Sequence, residues 1–165
     1  MHRWTLHTLA GVAILSALVI FAAGVARGQA SSHATRTDGQ GGITVRATFA
    51  NAAYFKEVPK DPLAGKVDLE REIVFVVSLD THAGNLSGFD FVKNTLLRND
   101  RGQQLAPVRW VATADGSHHR AGALVFPKAD SAGRALVPQA KSLELVVRNL
   151  GGAVERVLRW TLPLE

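Results

Sequence analysis

Apolar and polar residues alternate at a period of two along much of the chain after residue 42, which is the pattern of half-buried β-strands. The alternation is clear in residues 43–49, 142–148 and 157–162. Residues 73–77 (IVFVV) are apolar on both faces, as expected of a central strand. Because no later segment keeps apolar residues at i, i+3, i+4 and i+7 over three turns, the pattern predicts an all-β fold.

Turns that contain glycine separate these strands. Residues 99–102 (NDRG) predict one hairpin, and residues 149–152 (NLGG) predict another near the end of the chain. Residues 50–72 and 127–141 each contain two prolines and are expected to form the longer loops. About seven strands of ordinary length predict a single antiparallel β-sandwich, immunoglobulin-like or cupredoxin-like in outline, over residues 43–165.

The first thirty residues are typical of a segment read by the export machinery. Residues 4–26 carry no charge and lie between Arg3 and Arg27, which predicts an N-terminal hydrophobic helix. Residues 28–30 (GQA) offer a signal peptidase its small residues, whereas the uncharged stretch is also as long as the ~20 residues that cross a bilayer core. We interpret residues 1–30 as a signal peptide or a membrane anchor, and both alternatives put the remainder in the periplasm or outside the cell.

The remainder of the chain is mildly basic. Arg3 and Arg27 account for two of the 19 Lys and Arg residues, while all 14 Asp and Glu residues lie after residue 30. The basic side chains are spread among the acids rather than gathered beside aromatic residues, so no nucleic-acid partner is expected. Residues 31–42 (SSHATRTDGQGG) are polar and rich in glycine, which predicts a flexible linker before the sandwich.

The chain contains no cysteine. This excludes disulfide bonds, a lipid-modified cysteine, covalent haem attachment, iron–sulfur clusters and a blue-copper site, so the domain must be stabilised by packing. The sequence also lacks a GxSxG elbow and a GxxxxGKS/T phosphate loop. A triad assembled from Asp80, His82 and Ser117 has no turn that forms an oxyanion hole, and we expect no enzymatic activity.

Three histidines lie at the ends of predicted strands, with His82 after one strand and His118 and His119 before another. If consecutive strands run antiparallel, the loops at residues 81–87 and 113–119 lie at the same end of the sandwich. The NLGG turn is expected at that end as well. The sequence therefore predicts that all three imidazoles are brought together.

A divalent transition metal is the sharpest interpretation of this cluster, because imidazole suits copper or zinc and a carboxylate can complete the ligand set. The predicted metal residues are His82, His118, His119 and Asp80, with Asp115 as a second candidate carboxylate. Adjacent residues in a strand point to opposite faces, so His118 and His119 bind one ion only if that stretch leaves the sheet. Two alternatives stay open: polar loop residues with an imidazole bonded to a carbonyl or to Asp80, and a proton-linked switch.

The order of motifs around the histidines resembles a known pattern. Residues 79–82 (LDTH), 97–102 (LRNDRG), Trp110 and 116–127 (GSHHRAGALVFP) follow one another along the chain. In this order they resemble a group of uncharacterised exported bacterial domains that pair D-T-H with H-H-x-x-G-x-L-x-F-P. The resemblance covers about residues 70–128 and implies that the three histidines act as one unit.

These observations predict an exported or membrane-tethered, non-enzymatic β-sandwich that binds a ligand at its histidine-bearing end. The ligand would be a divalent metal such as copper or zinc, and residues 4–26 would contact the membrane if the leader is uncleaved. The alternative is a structural or protein-interaction module of a cell-envelope complex, with an envelope protein as partner and no metal.

Overall fold

The computed structural model describes residues 34–164, and the predicted leader at residues 1–30 lies outside them. Within the described residues, no helix is long and apolar enough to cross a bilayer. The described chain forms nine strands and one short helix. In chain order these are β1 (Thr35–Gln40), β2 (Ile43–Phe49), α1 (Ala52–Glu57), β3 (Glu72–Thr81), β4 (Thr95–Asn99), β5 (Gln104–Leu105), β6 (Arg109–Asp115), β7 (His119–Pro127), β8 (Ser142–Leu150) and β9 (Ala153–Thr161).

The strands form two antiparallel sheets, which confirms the predicted all-β sandwich. One sheet has the order β1-β2-β3-β7-β6 and the other has the order β5-β4-β8-β9. Buried side chains from both sheets meet in one core, in which the Phe75 ring lies 4.8 Å from that of Trp160 and 6.0 Å from that of Phe126. The inward faces predicted for residues 43–49, 142–148 and 157–162 pack in this core.

Strands β3 and β7 pair antiparallel over their full length. Glu72 lies opposite Pro127 at one end, and Asp80 lies opposite His119 at the other. Because of this register, the loop that follows β3 and the loop that precedes β7 lie at the same end of the sandwich, as predicted. We call this the histidine end, defined by residues 80–89 and 115–119.

The two predicted turns are present. In the first, Leu97 pairs with Leu105 across the hairpin, and Gly102 has a φ of 79°. In the second, Leu150 pairs with Ala153, and Asn149 adopts a φ of 55°. Both turns use the left-handed conformation for which glycine and asparagine are suited.

The predicted linker at residues 31–42 is wrong for its larger part. Residues 35–40 form strand β1, which pairs with β2 from Thr35↔Thr48 to Gln40↔Ile43. The segment is polar because β1 is the edge of its sheet, and backbone hydrogen bonds to β2 rather than burial hold it in place. The sandwich therefore begins with β1, before the predicted domain boundary at residue 43. The described residues form nine strands, whereas about seven were predicted.

The long segment between β2 and β3 covers the outer face of the larger sheet. Helix α1 is capped at its N-terminus by Asn51, whose side chain accepts the Tyr54 N–H at 3.0 Å. Tyr54 and Leu63 pack against Val74 and Val125, which explains why β3 is apolar on both faces. The Tyr54 hydroxyl donates to Asp61, and burial together with that carboxylate raises the pKa of Tyr54.

A buried arginine joins the two sheets near the histidine end. Arg156 of β9 is 1% exposed, and its guanidinium pairs with Asp38 at 2.9 Å. It also donates to the carbonyls of Gln40 at 2.8 Å, Ile43 at 2.9 Å and Leu150 at 3.0 Å. One side chain thereby connects the β1–β2 hairpin of the first sheet to the β8–β9 hairpin of the second.

Replacing Arg156 with Met should lower the free energy of unfolding by about 3–5 kcal/mol, because Asp38 and the three carbonyls lose their donor. Urea denaturation measures this loss. Arg148→Met is the matched control, since Arg148 forms an exposed pair with Glu155, and it should cost less than about 1 kcal/mol. Similar losses in both variants would show that Arg156 does not have this role.

Candidate functional site at the histidine end

Asp80 and His119 form the central contact of the histidine end. They face each other across β3 and β7, and the His119 Nδ1 lies 2.5 Å from the Asp80 Oδ1. The Ser78 hydroxyl donates to the second carboxylate oxygen at 3.3 Å. Both side chains are about half exposed, at 50% and 55%, so the pair contributes no more than about 1 kcal/mol to stability. It fixes the orientation of the imidazole ring more than it stabilises the fold.

The orientation of His119 has a chemical consequence. Because Asp80 holds Nδ1, the proton of a neutral ring is placed on that nitrogen, and the Nε2 lone pair is available to another group. A carboxylate that holds one nitrogen while the other binds a metal is a common arrangement in protein metal sites. In this geometry His119 is a candidate metal ligand, and Asp80 is a residue that positions it.

The other two histidines flank this pair. The carbonyl of His118 accepts the Thr81 N–H at 3.0 Å, and His82 follows Thr81 directly, so the two backbones are neighbours. Both histidine side chains are exposed. The structure therefore brings His82, His118, His119 and Asp80 to one end, as predicted from the strand directions.

These residues share one end of the sandwich, but their side chains do not form a complete set of metal ligands. In the described part of the chain, no group of three or more His, Asp or Glu side chains is arranged to hold a metal ion. Asp115, the second candidate carboxylate, instead accepts from Arg120 at 2.5 Å. The metal site of His82, His118, His119 and Asp80 stays a prediction.

Threonine and backbone groups shape the loops around the histidines. The Thr81 hydroxyl lies 3.0 Å from the Gly42 carbonyl and also contacts the Ala83 carbonyl, so its proton is shared between two acceptors. The Leu86 N–H donates to the Ser117 carbonyl at 2.7 Å, which joins the loop after β3 to the loop before β7. The D-T-H motif therefore has a structural role at its central residue.

Arg120 anchors the long loop between β3 and β4. Its side chain is buried, and Nη1 donates to the carbonyls of Leu86 at 3.0 Å and Phe89 at 2.5 Å. The guanidinium carbon lies 4.8 Å from the centre of the Phe91 ring, which stacks on Trp110 with 3.7 Å between ring centres. Sequence reasoning missed this anchoring role of Arg120. The available signal was its position on the inward row of β7, where a charged residue implies a buried partner.

Gly122 of the same motif is required by close packing. A Cβ at this position would lie 2.3 Å from the Val111 carbonyl oxygen and 2.8 Å from the Trp110 ring. The Trp110 Nε1 is the one buried side-chain nitrogen or oxygen in the described residues without a hydrogen-bond partner. Arg120, Gly122 and Trp110 therefore form a structural unit beneath the histidines.

A polar pocket with a volume of about 480 Å³ opens beside the histidine end. Its lining includes three asparagine side chains, and no charged residue is among the lining residues of the described chain. The asparagines are Asn85, Asn94 and Asn149, and the Asn149 amide donates to Asn94 at 3.1 Å. A side-chain amide can both donate and accept a hydrogen bond, so these asparagines suit an uncharged polar partner such as a peptide backbone.

Comparison with known proteins identifies no relative: no protein-family model, no curated protein and no solved structure matches the chain.

Replacing Arg120 with Met should release the loop that it anchors, because the Leu86 and Phe89 carbonyls lose their donor. We expect amide hydrogen exchange in residues 86–91 to become about tenfold faster or more, as measured by mass spectrometry. Arg134→Met is the control, since Arg134 is 71% exposed and pairs with Asp130 at 2.7 Å on the surface. Unchanged exchange in residues 86–91 would mean that Arg120 does not hold this loop.

Proposed function

We propose that this chain is an exported, non-enzymatic binding module whose histidine end takes up a divalent transition metal. In this proposal residues 1–30 are a signal peptide or a membrane anchor with a hydrophobic helix, and the β-sandwich works in the periplasm, either free or tethered to the inner membrane. The sandwich is immunoglobulin-like or cupredoxin-like in outline. Residues 4–26 contact the membrane when the leader is retained.

The observation that carries the metal proposal is the Asp80–His119 pair. The pair orients a half-exposed imidazole ring through one nitrogen, and the other nitrogen is the donor that the proposal assigns to an ion. His82 and His118 lie on the neighbouring loops and supply further nitrogen donors when those loops close around an ion. Copper and zinc are the metals that such donors favour, at ligand distances of about 2 Å.

The proposal assigns no catalytic step to the histidine end. His119 acts in it as a ligand, through the ring that Asp80 orients. Ser117 contributes its backbone carbonyl to the loop contact with Leu86. The non-enzymatic character stays a prediction from the sequence.

Zinc or copper should raise the thermal midpoint of the purified protein, because an ion that binds only the folded state stabilises it. The gain is about 2.7 kcal/mol at a hundred times the dissociation constant. His119→Ala should abolish the shift, and His82→Ala and His118→Ala should each reduce it. Asp80→Asn should weaken it, because the amide holds Nδ1 less strongly than the carboxylate does.

Glu70→Gln is the control for this experiment, since it removes an exposed carboxylate elsewhere on the molecule and should leave the metal-induced shift unchanged. The metal proposal fails if neither ion moves the midpoint. It also fails if His119→Ala keeps the full shift.

The second candidate is a protein-interaction module of the cell envelope that needs no metal. The asparagine-lined pocket favours it, because an uncharged, amide-rich surface suits the backbone of a partner loop. In this case the histidines would be polar loop residues, and the pocket beside them would carry the function.

A photo-crosslinking amino acid at position 85 should capture one defined envelope protein in cells, whereas the same amino acid at the exposed position 56 on α1 should not. Asn149→Gly should reduce that capture several-fold, since glycine keeps the φ of 55° and removes the amide. Capture that disappears when metal is chelated would favour the metal proposal instead. Capture at neither position would contradict the second candidate.

A further inference from the structure

An apolar groove lies at the end of the sandwich opposite the histidines. One recess, with a volume of about 420 Å³, is lined by Phe49, Leu69, Ile73 and Val137 among others. A second recess of about 410 Å³ continues toward Leu162, Pro163 and Leu164 near the end of the chain. The two recesses share Phe49, Asn51 and Val137, so they adjoin, and we refer to them together as the groove. We call this the groove end.

The groove suits an elongated apolar ligand. Its walls are mainly aliphatic and aromatic side chains, and each recess has the volume usual for a small-molecule site. Phe49, Val137 and Leu162 are only partly buried and pack at the margin of the core. Apolar surface left open in this way gains free energy when an apolar molecule covers it.

The described chain begins at the same end. Thr35 pairs with Thr48, the residue before Phe49 of the groove, and the Ala34 carbonyl accepts the Trp160 indole N–H at 2.6 Å. Residues 27–33 separate Ala34 from the uncharged segment at residues 4–26. Seven residues span at most about 25 Å, so a retained anchor keeps the groove end within that distance of the bilayer surface.

The rim of the groove carries charges of both signs. Lys128 and Glu70 line the first recess and are exposed. Glu72 also lines it, but Arg109 binds both oxygens of its carboxylate, one of them at 2.9 Å, and this lowers the pKa of Glu72. The charges left at the rim are one amine and one carboxylate, which complement the phosphate and the amine of a zwitterionic headgroup.

We propose that the groove binds an acyl chain of a phosphatidylethanolamine molecule from the adjacent membrane, with Lys128 facing its phosphate and Glu70 facing its amine. This inference rests on the membrane-tethered form of the proposed function. It adds a lipid site that is separate from the histidine end and independent of any metal.

The experiment uses the full chain reconstituted in vesicles that contain phosphatidylethanolamine with a photoreactive diazirine in one acyl chain. After irradiation, mass spectrometry should locate the lipid on peptides that contain Leu69, Val137 or Leu162. Val137→Trp fills the groove and should reduce this labelling about tenfold. Lys128→Glu, which leaves the apolar walls intact, should reduce it less, and it provides a second variant if the tryptophan prevents folding.

Val154→Trp is the matched control. Val154 is 79% exposed at the opposite end of the sandwich, so the same substitution there should leave the lipid labelling of the groove unchanged. Labelling spread evenly over the surface would overturn the proposal, as would labelling that Val137→Trp does not reduce. A photo-crosslinking amino acid at position 137 that captures only a protein would overturn it as well.

The outcome can be separated from that of the proposed function. N-terminal sequencing of the same sample shows whether residues 4–26 are retained. If they are removed, the photoreactive lipid is supplied in its single-chain form in solution, where groove labelling still supports the site and its absence overturns it. The metal-induced thermal shift is measured independently, so either proposal can fail while the other holds.

Discussion

The antiparallel pairing of β3 with β7 is the constraint on which the rest of this structure depends. These two strands are the third and fourth of five in the larger sheet, and their side chains are buried on both faces. Their register places Asp80 opposite His119. A slip of one residue would separate Asp80 from His119 and would move the core side chains of both strands out of their packing positions, so the register of the core and the geometry of the histidine end are fixed together.

Two buried arginines link distant segments of this chain, which contains no cysteine and so forms no disulfide bond. Arg156 joins the hairpins of the two sheets, and Arg120 holds the loop between β3 and β4 against the core. In both cases backbone carbonyls accept most of the hydrogen bonds, and one aspartate balances the charge. A buried guanidinium is tolerated only when its donors are satisfied, and for that reason each arginine determines the position of the loops around it.

The two ends of the sandwich differ in chemistry because different connections lie there. The histidine end carries imidazoles, amides and glycine-containing turns, which leave polar groups open to solvent. At the groove end, the long segments before β3 and after β7 meet the last residues of the chain and leave apolar side chains partly uncovered. The first described strand, β1, begins at the groove end, where Thr35 pairs with Thr48.

Much of the fold could be predicted from the sequence, because the period-two alternation states which side of each strand is buried. The alternation in residues 43–49 and 142–148 indicated the inward rows, and the NDRG segment indicated its hairpin. The antiparallel rule was enough to bring His82 and His119 to one end. Each of these three features is local or follows from chain direction. None of them requires knowing which strands are paired in a sheet.

Only the tertiary structure decided the features that depend on distant partners. Residues 35–40 are too polar to be recognised as a strand, and pairing with β2 orders them. Arg120 and Arg156 lie on inward rows, yet the carbonyls that make their burial tolerable come from residues far away in the chain. The contact between Asp80 and His119 likewise arises from strand register. The alternation in the sequence indicates which residues are buried. It does not indicate which group forms the hydrogen bond to a buried or oriented polar side chain, because that partner depends on how the sheets assemble.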